Sequence, residues 1–234
     1  MPPSPICPDC GQSSQIKFRC NVFSSGWNQL VEEAAGIAYG LIHQRSGPFD
    51  QIPAAEILSA PEENFQRNGF TGLFLKGQIR MHRSLENNPG KTIRIVIHEM
   101  LHSSLAGFPL DDPFYFEGFV EHATQVVAAE NVWGTYKDVV LQDVSEWFSF
   151  RMKQALTYRC DYDAKRWAGW VFAREAYGDR ILSMFKEAKK SGKRSWWLPA
   201  QGEKQQCAGP YGSAPIAAVA SVVPAFLDQG WRRT

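Results

Sequence analysis

Residues 91–107 read KTIRIVIHEMLHSSLAG. Ile93, Ile97, Leu101 and Leu105 recur every four residues, the spacing that lays one apolar stripe along an α-helix. Ile95 and Val96 add to its burial. Asn87-Asn88-Pro89-Gly90 breaks the chain just before, so Thr92 is the expected N-cap and Gly107 the expected end. A helix packed this deeply holds its polar side chains to high precision.

Outward from this helix, a few strands precede it and mostly helices follow. In TGLFLKGQIRMHRS, Leu73 to Leu75 and Ile79 to Met81 flank Lys76-Gly77, which predicts a hairpin. Residues 15–24 alternate apolar and polar like a half-buried strand. Residues 27–44 carry a helical spacing. Residues 45–70 hold three prolines and read as mostly irregular. Downstream, Asp112-Pro113 opens a second helix, on which Phe116, Phe119, Val120, Ala123, Val126 and Val127 repeat; Gly134 is its expected end. Further helices are expected at roughly 137–158, 161–177 and 179–190, with an apolar candidate near 215–228. The class is α+β, a small N-terminal antiparallel sheet and then a mostly helical half. The organisation expected is a cysteine-containing arm (1–14), one domain (15–192) and an extension packed on it (193–234).

The 234 residues and 26.4 kDa suit one domain of generous size. Hydrophobic residues at 44% and charged residues at 21% exclude wholesale disorder. A net charge of +1 gives no global field toward nucleic acid or anionic membrane. No apolar run reaches a membrane span, and MPPSPICPDC lacks the basic and apolar regions of a secretory signal. The expectation is a soluble, cytoplasmic protein with neither nucleic-acid nor membrane partners. Five cysteines at irregular spacing are no disulfide framework. Cys7-Pro8-Asp9-Cys10-Gly11 is C-x-x-C, and three readings stand: an accidental pair, half of a structural zinc knuckle with Cys20 as a third ligand, or a redox pair. No fourth ligand lies nearby, His43 and Cys160 being distant. The basic run from Lys186 to Arg194, before Trp196-Trp197, reads as a solvated helix end rather than a nucleic-acid contact.

The chemistry starts at His98-Glu99-Met100-Leu101-His102. Residues four apart share a helix face, so both imidazoles reach one ion. Glu99 sits beside the first ligand, placed to contact a metal-bound water rather than the metal. Zinc lowers the pKa of such a water from about 15.7 to about 7, and Glu99 is the candidate base for its proton. A catalytic site needs a third protein ligand and one open position. The next helix offers Glu117 and Glu121, again four apart. Two carboxylates among Phe114, Phe116 and Phe119 imply a partner, because unpaired buried charge is costly.

HEMLH, then fourteen intervening residues, then E-G-F-V-E-H behind an aromatic stretch, resembles the gluzincin metallopeptidases of the peptidase MA-like type. Trp170 to Leu182, through Tyr177-Gly178, is similar to that family's downstream helix. The resemblance spans roughly residues 72–190. It implies a zincin-like fold and a zinc ion held by His98, His102 and Glu117. It makes Glu99 the general base and Glu121 an acid bonded to a ligating imidazole. The competing assignment makes Glu121 the ligand; Gly118, which matches the motif and permits close helix packing, favours Glu117. The metzincin extension is absent, since Phe108 stands where its third histidine would be.

An oxyanion donor is expected from Tyr158, Tyr162 or Tyr177, with Tyr162 chosen for its polar helix entrance; each also reads as a core tyrosine. His122, following Glu121, points off that face, with a surface or supporting place as its default. By resemblance, Gln78 to His82 is the edge strand along which an extended substrate adds; an ordinary hairpin is the equal alternative, and His82 is expected exposed on it. The function expected is zinc-dependent hydrolysis of peptide bonds in a peptide or protein substrate. The rivals are an inactive gluzincin-like binding module and a zinc hydrolase of a non-peptide amide.

Overall fold

The computed structural model describes residues 11–13, 15–63, 71–108, 113–157 and 162–193, with backbone alone at 114, 151–157 and 162–164. The class is α+β: one small sheet and a mostly helical remainder.

The sheet comprises β1 (Arg19–Cys20), β2 (Glu56–Ser59), β3 (Gly72–Leu75) and β4 (Gln78–Met81), in the order β1-β2-β4-β3. It is mixed, not antiparallel as expected. β3 and β4 form the predicted hairpin, turning at Lys76 (φ 51°) and Gly77 (φ 79°). Positive φ at both central residues matches the twist of the flanking strands. β2 pairs in parallel with both β1 and β4. Parallel strands need a crossover, and α1 (Ser25–Ser46) supplies it between β1 and β2. β2 lies within the stretch read as irregular, a four-residue strand between Pro53 and Pro61. Only two residues of the expected 15–24 strand pair, yet its alternation is real: Phe18, Cys20 and Val22 are buried while Lys17, Arg19 and Asn21 are exposed.

α2 (Pro89–Ser104) is the central helix and starts a turn earlier than expected. Asn88, not Thr92, is its N-cap, accepting from Lys91 N–H at 3.0 Å, with Pro89 in the first turn. Thr92 is buried and donates its hydroxyl to Leu85 O at 2.9 Å. Leu105 rather than Gly107 closes the helix. Ile93, Ile97, Leu101 and Leu105 are all buried, as are Arg94, His98 and Glu99. A helix covered on nearly every side is a core helix. β3, α1, α3 (Pro113–Ala128) and α4 (Lys137–Thr157) pack around it.

α3 ends at Ala128, before the expected Gly134, because Trp133 Nε1 donates to Val127 O at 3.0 Å and closes its last turn. α5 (Tyr162–Tyr177) and α6 (Ile181–Ser191) follow close to expectation. α3 and α5 meet backbone to backbone. A Cβ on Gly118 would lie 2.1 Å from Arg166 O, and one on Gly169 would lie 1.9 Å from Tyr115 O. Both glycines are required by that approach.

Of the expected arm, Gln12 exchanges two 3.0 Å hydrogen bonds with the Phe49 backbone. The expected pair Cys7 and Cys10, the extension from 194 onward and its helical candidate lie outside the described residues. Among the described residues, no helix is long and apolar enough to cross a membrane.

Candidate metal centre

α2 carries His98 and His102 one turn apart, with ring centroids 4.8 Å apart. α3 packs against α2 and brings Glu117 to both. His98 Nε2 lies 2.9 Å from Glu117 Oε1, and His102 Nε2 lies 3.1 Å from Glu117 Oε2. The two Nε2 atoms are 3.2 Å apart. For an ion held tetrahedrally at about 2.0–2.1 Å, neighbouring donor atoms stand about 3.3 Å apart. His98, His102 and Glu117 could therefore hold one metal ion. The side chains of His98 and Glu117 are 7% and 16% exposed but that of His102 is 27%, so the cluster opens to solvent at His102.

His98 has acceptors near both ring nitrogens. On the Nδ1 side stand Thr124 Oγ1 at 3.5 Å and Glu121 Oε2 at 3.9 Å. Thr124 spends its hydroxyl proton on Val120 O at 2.8 Å, and a carboxylate only accepts. Both neighbours could accept from Nδ1, but neither is as close as Glu117 Oε1, which stands 2.9 Å from Nε2. Burial holds the His98 pKa below its ordinary value, against the pull of Glu117. An Nε2–H donates to Glu117 Oε1 across the 2.9 Å contact, and loss of that proton would free the Nε2 lone pair for a cation.

Burial raises the carboxyl pKa of Glu117, but the charges of His102, His98 and Arg166 outweigh it and hold the group well below the ordinary value. Burial lowers the imidazole pKa of His102, while the Glu117 charge and hydrogen bond more than restore it. Glu99 is buried, and burial pushes its carboxyl up. A backbone hydrogen bond from Phe74 on β3 opposes the shift. β3 comes this close because residue 72 is glycine: a Cβ there would stand 2.9 Å from Glu99 Oε1 and 2.3 Å from Ile95 Cγ2.

Behind the cluster lies a charged support. Arg166 of α5 reaches Glu117 Oε1 at 3.1 Å and also donates to Glu121 Oε1. Trp147 Nε1 donates to the same Glu121 oxygen at 3.1 Å. The Trp147 ring lies 4.4 Å from the guanidinium carbon of Arg94 and 5.6 Å from that of Arg166. Arg94 is tied to Asp143 at 2.6 Å. Thus the pair on α3 divides: Glu117 faces the two imidazoles, and Glu121 stands on the Nδ1 side of His98.

Sequence reasoning missed Arg166, Trp147, Thr124, Arg94 and Gly72. The two carboxylates four apart on an apolar helix were a signal for Arg166, since that pair demands a buried cation.

The remaining residues singled out above fall elsewhere. The side chain of Tyr162, at the start of α5, and all of Tyr158 lie outside what is described. Tyr177 packs on Phe119 and Phe172. The edge strands are β1 and β3, not Gln78 to His82; β4 is paired on both sides, by β2 and β3. His82 is buried rather than exposed, held at 2.8 Å by Ser84 Oγ and by Glu62 Oε2. His122 is also buried and donates from Nε2 to Gly178 O at 3.0 Å. Cys20 is a buried free thiol, which burial pushes up to about 11. In the basic run, Lys189 bonds Pro48 O and Ser104 Oγ, each at 2.8 Å.

No protein-family model, curated protein or solved structure matched this chain when compared with it.

Proposed function

We propose that this chain is a zinc-dependent metallopeptidase with a zincin-like fold of the gluzincin type. The observation that carries the proposal is the convergence of His98 Nε2, His102 Nε2 and Glu117 on one point. Two imidazoles and one carboxylate are a donor set of catalytic zinc sites, which keep a further position open. Zinc, when bound, supplies a Lewis acid that polarises a carbonyl and acidifies water.

The chain's own residues do the rest. Glu99 follows the first histidine, and its burial raises its affinity for a proton toward the working range of a general base. It accepts the proton of the attacking water and returns it to the departing amine. The Phe74 N–H holds its carboxylate in place meanwhile. Glu121 Oε2 and Thr124 Oγ1 stand on the Nδ1 side of His98, at 3.9 and 3.5 Å, as the acceptors available to the tautomer that would ligate through Nε2. The substrate is a peptide or protein segment that enters on the His102 side.

The test is metal content per chain beside turnover. Wild type is expected to hold about one zinc at the centre, His102→Ala to lose it, and Glu99→Ala to keep it while losing hydrolysis. Full activity in Glu99→Ala would refute the mechanism. Zinc without any Glu99-dependent turnover, against peptides and simple amides alike, would leave a binding module.

A further inference from the structure

We propose that Arg166 is a positioning residue of the metal centre: it fixes Glu117 so that its carboxylate meets the ion. The inference rests on the metal-centre reading above. One nitrogen, Nη2, bonds Oε1 of both Glu117 and Glu121. These two carboxylates sit on successive turns of α3 and would repel each other without it. The guanidinium gathers them and removes the freedom of Glu117 to rotate away from the imidazoles.

Arg166 is itself over-determined. Its side chain is only 9% exposed and lies beside the Trp147 ring. Trp147 in turn bonds Glu121, so the guanidinium, the indole and the second carboxylate brace one another. The backbone is fixed too, because Arg166 O lies in the close contact with Gly118, the residue next to Glu117. The distance between α3 and α5 therefore sets the reach of Arg166 to the ligand.

Charge and positioning make opposite predictions, which gives the idea a sign. A guanidinium within hydrogen-bond distance of a ligand oxygen repels a cation. If charge alone mattered, Arg166→Met would bind zinc more tightly. If Arg166 positions Glu117, the same variant binds zinc more weakly, by about 10–100-fold, the usual effect of losing a partner that orients a ligand.

The experiment measures the zinc dissociation constant of the full chain by competition with a chromophoric chelator, alongside the visible spectrum of the cobalt(II)-loaded protein. Arg166→Met leaves Glu121 buried without its cation, so Arg166→Met/Glu121→Gln is made in parallel to keep the buried charge balanced, and is read against Glu121→Gln alone. Near-UV circular dichroism of the metal-free proteins reports the fold. The expected result is weaker zinc binding and an altered cobalt spectrum in both variants, with part of the affinity recovered in Arg166→Lys. Unchanged or tighter binding in the balanced variant would overturn the inference and leave the metal centre standing. Tighter binding in Arg166→Met that returns to the wild-type value in Arg166→Lys would reduce the role to charge and also overturn it. A folded wild type that takes up no zinc would overturn the metal centre itself, and this inference with it.

Discussion

Gly118→Ala tests how the site is positioned, because this one methyl group falls between two helix backbones. The added Cβ would stand 2.1 Å from Arg166 O, 2.3 Å from Trp170 N and 2.7 Å from Gly169 C. All three are main-chain atoms of α5, so no rotamer change relieves the contact. Ordinary van der Waals distance begins near 3.4 Å, and α3 and α5 must part by more than an ångström. A gap of about 0.5–1 Å already forfeits a quarter to a half of each dispersion contact along the seam. Overpacking commonly costs about 1–3 kcal/mol, and a clash with backbone belongs at or above the top of that range. At about 2–4 °C per kcal/mol for a chain of this size, Tm should fall by about 6–12 °C. Zinc affinity should fall as well, since Glu117 and Arg166 flank the contact. Gly36→Ala is the control. It too lies inside a helix, but its Cβ would meet only Ile16 O at 4.0 Å. Helix propensity there should raise stability by about 0.5–1 kcal/mol. Thermal unfolding of the two variants gives opposite signs if the reasoning holds. A Gly118→Ala protein that melts with wild type and binds zinc equally well would refute it.

Two further outcomes follow from the same geometry. Gly72→Ala should keep zinc but lose turnover by about 100-fold, because the new Cβ displaces the Glu99 carboxylate while leaving His98, His102 and Glu117 alone; equal loss of zinc and turnover would show that β3 supports the ligands and not the base. The second outcome concerns pH. The Cys20 thiol is pushed up to about 11 from an ordinary 9.0, chiefly by burial, with the Glu32 charge adding and a Val22 backbone hydrogen bond opposing. The folded chain keeps a proton that the unfolded chain releases, so this contribution is complete below pH 9 and is lost as pH rises toward 11. Cys20→Val should therefore lose less Tm than wild type between those two pH values, and parallel melting curves would remove Cys20 from the alkaline transition.

The helices were legible because each carries its own signal. α1, α4, α5 and α6 begin and end within a few residues of the expected bounds, since periodicity and the glycines between them are local. The strands were legible only where pairing was local too. The β3–β4 hairpin declares itself through Lys76-Gly77. β2 is four residues long, flanked by prolines, and owes its existence to partners 37 and 22 residues away in the pairs Arg19↔Glu56 and Leu58↔Arg80. Nothing within Glu56–Ser59 announces such pairing. The same blindness produced the wrong edge strand: which side of a hairpin is covered depends on that distant third strand.

The site divides along the same line. His98, Glu99 and His102 are four-residue geometry on one helix. Glu117 adds a second helix but is still marked by its spacing and by Gly118. What could not be read is the partner that makes these charges tolerable, and physical reasoning shows why it must exist. Glu117 and Glu121 lie one turn apart on α3 with little access to solvent, and isolated ions in a protein interior cost several kcal/mol each. A cation from another element is therefore required, and α5 offers Arg166 where its backbone already touches Gly118. The glycine that lets the helices meet and the arginine that neutralises the pair are parts of one solution. That coupling is why a methyl group at residue 118, aimed at the α5 backbone and not at a ligand atom, is expected to reach the metal.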